Sequence, residues 1–336
     1  MSENAEKVEA GLPDTLSCWI VSDGKAGIEG PCLGLAEALG VEPEVKRIDV
    51  RAPWRWLPPN LWPAALSAPG PAGDRLSPPW PDLVIANGRK AMAPAAAIRR
   101  ASGGRAFVVV LQAPQMRLDA FDLVIAPKHD RLEGANVFSV QGSITRIRPE
   151  TLSEEAERFA GELKPLPRPR VAVLIGGTSK VHRMDMESAC NLAEGLARMA
   201  REEGCGLMIT ASRRTGKEAF ALIREALADL PAVLWDGTGP NPYFAYLGAA
   251  DAIVVTEDSV NMVSEAATTG KPVLVAALSG GSAKFRRFHA DMAAAGITRP
   301  FHGRLDEWSY TPLDEAGRAA AEVARRLAQR GQTVRR

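Results

Sequence analysis

Hydroxyl and acidic residues follow an apolar run and open a helical pattern in the segment TEDSVNMVSE, residues 256–265. Asp258 or Ser259 is placed to cap the start of this helix, where backbone N–H groups and the positive end of the helix dipole favour an anion. Ser259 and Asn261 are able to donate hydrogen bonds to phosphate oxygens, and Thr256 ends the apolar run that precedes them. The adjacent negative charges disfavour a bound phosphate. The alternative is a well-capped helix whose acidic residues lie on the surface.

A carboxylate stands further along the same helical pattern, at Glu265. A carboxylate at such a position can accept hydrogen bonds from both hydroxyls of a ribose, as acidic residues do in dinucleotide-binding folds. The alternative is a solvated surface glutamate. The segment therefore predicts a nucleoside diphosphate, with its phosphates at the helix N-terminus and its ribose at Glu265.

A glycine turn earlier in the chain has the same chemistry, in the stretch IGGTSKVHRMD, residues 175–185. Small residues let a phosphate approach the backbone, and we expect the N–H groups and hydroxyls of this turn to face an anion. The spacing is not that of a Walker A motif, and the alternative is a tight connection between a strand and a helix. The residues that we assign to anion binding here are Gly176, Gly177, Thr178, Ser179 and Lys180.

Two further groups follow apolar runs in the second half of the chain. Ser212, Arg213 and Arg214 come directly after one run, and guanidinium groups suit bidentate contacts with phosphate. Asn241 and Tyr243 follow the next run, where an aromatic ring can stack on a base. The alternatives are an arginine pair that bridges acidic loops and an aromatic residue that packs in the core.

The first half of the chain supplies the candidate catalytic residues. An ionised Asp23, at the end of the first apolar run, is able to take the proton from an acceptor hydroxyl, and His129 is its rival because imidazole titrates near neutral pH. The sequence carries neither a DxD-type carboxylate pair at a strand end nor a His/Cys cluster. We therefore predict a metal-independent group transfer, in which Lys and Arg side chains offset the charge of the leaving group.

Tryptophan and arginine alternate with prolines in residues 51–66, RAPWRWLPPNLWPAAL. Trp54, Trp56 and Trp62 beside basic residues suit the headgroup region of a membrane, which predicts a shallow membrane contact. The alternative is a proline-broken loop whose indoles cover the core of the first domain.

Composition limits the class of protein. The 336 residues are enough for two domains, and 41 Lys and Arg balance 40 Asp and Glu, which argues against a nucleic-acid partner. Four scattered cysteines without a CxxC pair suit a reducing compartment. The polar start MSENAEKVEAG lacks the apolar core of a signal peptide, and no apolar run approaches the roughly 20 residues of a membrane span. The predicted location is the cytoplasm, with peripheral contact at the inner membrane.

Apolar runs alternate with helical patterns twice along the chain, which is typical of doubly wound α/β domains. The predicted boundaries are an acceptor-side domain at 14–150, a nucleotide-sugar domain at 168–312 and a C-terminal helix at 313–331 that packs back on the first domain. Three prolines between 165 and 169 indicate the connection. The predicted strands are 17–23, 45–50, 82–88, 106–113, 122–128, 136–140, 171–177, 206–212, 232–237, 252–258 and 272–278, and the predicted helices include 33–40, 92–101, 186–204, 217–230 and 313–331.

The segment from Thr256 to Pro272 resembles the nucleotide-sugar signature of glycosyltransferases with two Rossmann domains, the GT-B fold. It is similar to that of the bacterial peptidoglycan N-acetylglucosaminyltransferases, whose pattern runs Ser-x-x-Gly-x-x-Thr-x-x-Glu and then Gly-x-Pro. The resemblance implies that Glu265 holds the ribose and that the turn at 177–179 lies near the diphosphate. Here Ser259 replaces the glycine of the pattern, and Glu257 stands where the group often has arginine.

A closer resemblance covers nearly the whole chain, to the mitochondrial-fission (elongated-mitochondria) family. Bacterial members have been labelled both nucleoside-diphosphate-sugar epimerases and fission proteins, and the plant relative helps to recruit a dynamin-like protein. The segments that carry the resemblance are SDGKAG (22–27), CLGLAEALG (32–40), ANGRK (86–90), FDLVIAPKHD (121–130), NVFSVQGS (136–143), TASRRTG (210–216), residues 235–266 and TGKP (269–272).

Together these features predict two Rossmann-like, doubly wound α/β domains that face a cleft, closed by a C-terminal helix. The predicted function is transfer of a sugar from a nucleoside diphosphate-sugar, the substrate, to an acceptor that the sequence leaves open, with no further cofactor. The alternative is a non-catalytic adaptor of the fission family that acts through membrane or protein partners. An epimerase or reductase is disfavoured, because no G-x-G-x-x-G opens the chain and no Tyr-x-x-x-Lys pair is present.

Overall fold

The computed structural model describes residues 16–334, so the polar start in which we predict no signal peptide lies outside the described residues. The chain forms two compact units. The first unit combines the residues up to Arg146 with the C-terminal segment from Asp314, and the second is Ile147–Leu313. The prolines between 165 and 169 lie inside the second unit, after its first two helices.

Strands and helices alternate in both units. In residues 16–334 the strands are β1 (Cys18–Ser22), β2 (Pro43–Arg47), β3 (Leu83–Ala86), β4 (Phe107–Leu111), β5 (Leu123–Pro127), β6 (Val137–Val140), β7 (Arg170–Ile175), β8 (His182–Arg183), β9 (Gly206–Ala211), β10 (Ala232–Trp235), β11 (Ala252–Thr256), β12 (Val273–Ala276), β13 (Ser279–Gly280) and β14 (Thr298–Pro300). The α-helices are α1 (Ala26–Ala38), α2 (Arg89–Ala101), α3 (Pro149–Arg158), α4 (Ala160–Leu163), α5 (Met186–Glu203), α6 (Lys217–Ala226), α7 (Tyr243–Ala249), α8 (Val260–Thr268), α9 (Ala283–Ala294) and α10 (Glu315–Val334).

The described part of the first unit contains a six-stranded parallel sheet in the order β2-β1-β3-β4-β5-β6. Its central strands are buried Val, Ile and Leu runs such as FVVVL in β4, because helices cover both faces. The chain runs from β1 to β2 on one side and from β3 to β4 on the other. The point where the strand order reverses therefore lies between β1 and β3, and ligands of such sheets bind at this point.

The C-terminal helix α10 packs in the core of the first unit. Its buried residues Ala319, Ala320 and Val323 join the cluster that contains Leu35 of α1. At its start, Glu315 accepts a hydrogen bond from the backbone N–H of Gln141 at 3.1 Å. An amphipathic helix far from the first sheet in sequence thus completes that sheet's hydrophobic cover.

The described part of the second unit contains another six-stranded parallel sheet, in the order β10-β9-β7-β11-β12-β14. Apolar clusters cover both of its faces, and β8 pairs with β13 in a short antiparallel ladder. The strand order reverses between β7 and β11. The predicted α/β class with two parallel sheets is confirmed.

None of the helices in residues 16–334 combines the length and the apolar character needed to cross a bilayer.

Candidate nucleotide-binding site

The carboxyl ends of β7, β9, β11 and β12 meet at one edge of the second sheet, because these strands are parallel. Helix α8 starts from this edge. Of the two predicted caps, Ser259 is the N-cap residue, and its Oγ accepts a hydrogen bond from the backbone N–H of Met262 at 3.3 Å. The hydroxyl oxygen of Ser259 thus stabilises the start of the helix.

The carboxylate of Asp258 points inward, and the residue is 4% exposed. It accepts hydrogen bonds from the Gly177 N–H at 3.0 Å and the Thr256 hydroxyl at 2.7 Å, and it pairs with Arg214 Nη1 at 2.6 Å. Thr256 Oγ1 in turn accepts from the Gly176 N–H at 2.8 Å. The acid that counted against a phosphate ligand is therefore neutralised inside the protein, where it joins the ends of β7, β9 and β11.

The prediction that the backbone N–H groups of the glycine turn are free for an anion is wrong. Gly176 and Gly177 donate to the side chains of Thr256 and Asp258, as described above. The N–H of Thr178 donates to the Arg214 carbonyl at 2.9 Å, and that of Ser179 donates to the His182 carbonyl at 2.9 Å. Buried backbone groups are satisfied within the protein, and here the turn binds the neighbouring strand ends.

The hydroxyl groups of this turn act as acceptors. Thr178 Oγ1 accepts from the N–H of Met184 at 3.2 Å, and Ser179 Oγ accepts from the N–H of His182 at 3.1 Å. Their protons are not used in these bonds, and Thr178 and Lys180 are exposed. The turn can thus offer hydroxyl protons and an ammonium group to an anion, rather than its amides.

The segment after β9 is partly structural. Ser212 Oγ donates to the Gly176 carbonyl at 2.6 Å, and so does Thr215 Oγ1 at 2.6 Å. Thr215, which is 3% exposed, was not predicted from the sequence. Arg213 is exposed, and the described residues include no ion-pair partner for it. Of the two predicted arginines, Arg214 holds Asp258, and Arg213 keeps an exposed charge after the end of β9.

Glu257 is also bonded within the protein. Its Oε1 accepts from the N–H of Leu278 at 2.7 Å, and its carbonyl oxygen lies 2.8 Å from Nε2 of His289. Burial lowers the pKa of His289 below its ordinary value. His289 was not predicted from the sequence, because a single histidine on a helix carries no motif.

Glu265 and Tyr243 lie together, although the sequence pointed to them separately. The Tyr243 hydroxyl donates to Glu265 Oε2 at 2.6 Å. Burial raises the pKa of Glu265 to about 7, while the Tyr243 hydrogen bond acts to lower it. Burial and the nearby Glu265 raise the pKa of Tyr243. Asn241 Oδ1 accepts from the Tyr243 N–H at 3.0 Å and holds the start of α7. The arrangement offers a half-buried carboxyl group whose charge changes near neutral pH.

Lys271, from the TGKP segment, supports this pair from the other end of α7. Its Nζ donates to the carbonyls of Leu247 at 2.5 Å and Gly248 at 2.7 Å, where a cation also complements the helix dipole. Tyr310 donates to the Lys271 carbonyl at 2.8 Å. The helix that carries Tyr243 is therefore fixed at both ends.

The two candidate catalytic residues lie apart in the first unit. Asp23 follows β1, and its Oδ2 lies 2.7 Å from the Lys25 ammonium and 3.9 Å from that of Lys90. His129 follows β5 and is 2% exposed. These strands are three positions apart in the sheet, which is about 14 Å at ordinary strand spacing. The fold does not bring Asp23 and His129 together.

The three tryptophans differ in burial. Trp62 is 8% exposed and Trp54 packs against the same core cluster, whereas Trp56 is 70% exposed. Trp62 donates to the Leu57 carbonyl at 3.0 Å. Trp54 and Trp62 thus cover the core of the first unit, as in the alternative interpretation of this segment. The exposed apolar surface here belongs to Trp56 and to Leu61, which is 60% exposed.

Across residues 16–334, no group of three or more His, Cys, Asp or Glu side chains is arranged to hold a metal ion.

Two parallel Rossmann-like sheets with polar strand ends place the protein in the two-sheet α/β class of GT-B type. The UDP-GlcNAc 2-epimerase of Methanocaldococcus jannaschii, solved in complex with UDP-GlcNAc and UDP, is similar in fold, with a TM-score of 0.54 and 12% identity over 94% of this chain and 100% of that chain. The MurG of Acinetobacter baumannii aligns with a TM-score of 0.46 and 14% identity, over 94% of this chain and 95% of that chain.

Residues 26–327 match the family described as Mitochondrial fission ELM1, and the chain belongs to this family. The mitochondrial fission protein ELM1 of Arabidopsis thaliana is 34% identical over 283 residues, which are 76% of this chain and 66% of the plant protein. The chain therefore spans slightly less than two thirds of that relative. The predicted family is confirmed.

Proposed function

We propose that the second unit binds a nucleoside diphosphate-sugar and that the protein transfers the sugar to an acceptor bound by the first unit. The observation that carries this proposal is the Tyr243–Glu265 pair, joined at 2.6 Å beside the carboxyl edge of the second sheet. A half-buried carboxyl group with one internal partner retains lone pairs for the two hydroxyls of a ribose. Proteins of similar fold whose structures contain UDP or UDP-GlcNAc support a ligand of this class.

The diphosphate would lie at the start of α8. The positive end of the helix, the exposed Arg213 and Lys180, and the hydroxyl of Thr178 supply positive potential and donors there. The carboxylate of Asp258 points inward and is neutralised by Arg214, so that its charge does not repel a phosphate. This residue set offsets the charge of a leaving nucleoside diphosphate without a metal ion.

In the transfer, the acceptor oxygen forms a bond to the anomeric carbon of the sugar while the bond from that carbon to the diphosphate oxygen breaks. The acceptor proton passes to a base, a role that we assign to Asp23. Its Oδ2 lies 2.7 Å from the Lys25 ammonium and 3.9 Å from that of Lys90, so the carboxylate is held beside the start of α1. His129, which is 2% exposed, is the second candidate for this role.

Nucleotide binding tests the proposal directly. Thermal unfolding is measured with the diphosphates of uridine, guanosine, adenosine, cytidine and thymidine. A ligand at 100 times its Kd stabilises the folded state by about 2.7 kcal/mol, which raises Tm by several degrees. We expect one base to give this rise and Glu265→Ala to abolish it. The control is Glu225→Gln, an exposed acid on α6 of the same unit. An undiminished rise in Glu265→Ala would refute the assigned role of this residue.

The alternative function is a non-catalytic adaptor of the fission family, and the exposed Trp56 and Leu61 favour it. Arg55 lies 5.4 Å from the Trp56 ring, so cationic and apolar groups are adjacent on this surface. Such a surface suits peripheral contact with a membrane from the cytoplasm. Failure to bind any of the five nucleotides, together with vesicle binding that Trp56→Ala abolishes, would favour the adaptor.

A further inference from the structure

The carboxyl edge of the first sheet carries a second concentration of charge, at the point where its strand order reverses. Helix α1 starts after β1 and helix α2 starts after the adjacent β3. The two connections are bonded to each other, since Asn87 Nδ2 donates to the Ile28 carbonyl at 2.9 Å. Gly88 has φ +82, and a Cβ there would press on the Ile28 side chain. The starts of two helices of thirteen residues each are therefore held side by side.

The charges at these helix starts have an unusual sign. Helix N-termini favour Asp and Glu, because the helix dipole is positive there. Here Lys25 is the N-cap residue of α1, and α2 begins with Arg89 and Lys90 and has no acid in its first turn. The acid in the first turn of α1, Glu29, is held by the Arg47 guanidinium at 2.8 Å. Positive charge thus accumulates where a bound anion would stabilise it.

One carboxylate lies among these cations, and it is only half satisfied. Both the Lys25 and the Lys90 ammonium groups face Oδ2 of Asp23, at 2.7 and 3.9 Å. Oδ1 of Asp23 is buried and has no hydrogen-bond partner among the described residues, and the side chain is 11% exposed. The carboxylate therefore has acceptor capacity that no described residue uses, and a hydroxyl group from a ligand would supply a donor.

We propose that Asp23, Lys25 and Lys90 bind an acceptor that carries both a phosphate group and a free hydroxyl group. The phosphate contacts the two ammonium groups and the helix starts, while the hydroxyl donates to the Asp23 carboxylate. Each ammonium has three donors and can contact Asp23 and a phosphate oxygen together. The inference rests on the proposed function only in calling this ligand the acceptor, since the site itself lies wholly in the first unit.

Calorimetric titration of the full chain tests the site with three probes: sn-glycerol 3-phosphate, inorganic phosphate and glycerol. We expect glycerol 3-phosphate to bind more tightly than inorganic phosphate, and glycerol alone to bind weakly. Lys25→Met and Lys90→Met should each weaken binding of both phosphates about tenfold, as expected for one charge-assisted hydrogen bond. The control is Arg100→Met, which removes one exposed positive charge at the opposite end of α2.

Asp23→Ala separates the two parts of the site. Loss of the carboxylate should leave inorganic phosphate bound at least as tightly, because a negative charge is removed, while the preference for glycerol 3-phosphate disappears. The proposal is overturned if this preference survives in Asp23→Ala, or if both lysine variants bind the phosphates as the parent does. If Asp23→Ala does not fold, the lysine variants still decide.

Vesicles distinguish a free phosphate ester from a lipid headgroup of the same chemistry. Phosphatidylcholine vesicles are compared with vesicles that also contain phosphatidylglycerol, whose headgroup has a phosphate and free hydroxyls. If the protein binds the vesicles that contain phosphatidylglycerol, and this binding requires Lys25 and Lys90, the site is assigned to a lipid. Binding of glycerol 3-phosphate without vesicle binding assigns it to a free ester. If the protein binds neither glycerol 3-phosphate nor vesicles but a nucleoside diphosphate still raises Tm, this inference alone is refuted. If it binds the phosphates but no nucleoside diphosphate raises Tm, only the proposed function is refuted.

Discussion

At the scale of single residues, burial of Glu265 gives the second unit a carboxyl group that titrates near neutral pH. Its pKa rises from the ordinary value of 4.5 to about 7. The folded protein therefore holds this proton more tightly than the unfolded chain does. Stability is greatest below about pH 4.5 for this group, and it falls as the pH rises through about 7. The largest contribution is roughly 3 kcal/mol, from 1.36 kcal/mol per pKa unit.

Urea unfolding between about pH 5 and pH 8 measures this effect. We expect the free energy of unfolding to decrease with pH in the parent protein by up to roughly 3 kcal/mol more than in Glu265→Gln, which has no titrating group there. Tyr243→Phe should move the decrease to higher pH, because the tyrosine hydrogen bond acts to lower the pKa of Glu265. Parallel pH profiles for the parent and Glu265→Gln would contradict the assignment.

At the scale of elements, the ends of three strands depend on glycine at position 176. A Cβ there would overlap the Asp258 carboxylate, which holds the Gly177 N–H and Arg214 in place. Gly176→Ala should therefore destabilise the second unit by about 1–3 kcal/mol through overpacking. The matched control is Gly161→Ala in α4, where a Cβ meets nothing within 4 Å. That change should be neutral or slightly stabilising, by up to about 1 kcal/mol.

Chemical unfolding of both variants measures the difference. The assignment of a bracing role to Asp258 would be wrong if Gly176→Ala were as stable as Gly161→Ala.

Much of the sheet architecture was predictable, and the directions of the edge side chains were not. Continuous Val, Ile and Leu runs such as β4 and β11 exist because both faces of a parallel sheet are buried, so the sequence shows them directly. Helix α3, PETLSEEAER, was missed, although a proline at its first position and Glu150 in its first turn are typical of a helix start. Asp258 was predicted as a candidate cap at the phosphate-binding start of α8. Its inward direction depends on Arg214 and on the Gly177 N–H, which are distant in sequence and close only in the fold.

The candidate site was likewise predictable from the sequence only in part. Glu265 and Tyr243 were each predictable from residue type and position, but their contact was not, because 22 residues separate them. Thr215 and His289 were not predicted individually, and their roles follow from the backbone carbonyls that they contact. Sequence thus indicates which residues gather at a strand end, while burial and partners decide which of them remain available to a ligand.

At the scale of the whole molecule, the chain forms two units whose hydrophobic cores contain different residues, and the first core needs the C-terminal helix. Ala320 of α10 is fully buried, whereas its neighbour Ala321 is exposed. Ala320→Asp places an uncompensated charge in that core and should cost more than about 3 kcal/mol. Ala321→Asp makes the same chemical change on the water side of the same helix and should cost less than about 1 kcal/mol.

Hydrogen exchange followed by mass spectrometry shows where each variant loses protection, because local opening exposes the amides of the affected unit. In Ala320→Asp we expect faster exchange in peptides from β1, β3 and β4, which share a core with α10, and unchanged exchange in peptides from β7, β9 and β11. Ala321→Asp should leave both sets unchanged. Equal loss of protection in the two units of Ala320→Asp would mean that they unfold as one cooperative structure, and the second unit could then not be treated as an independent core.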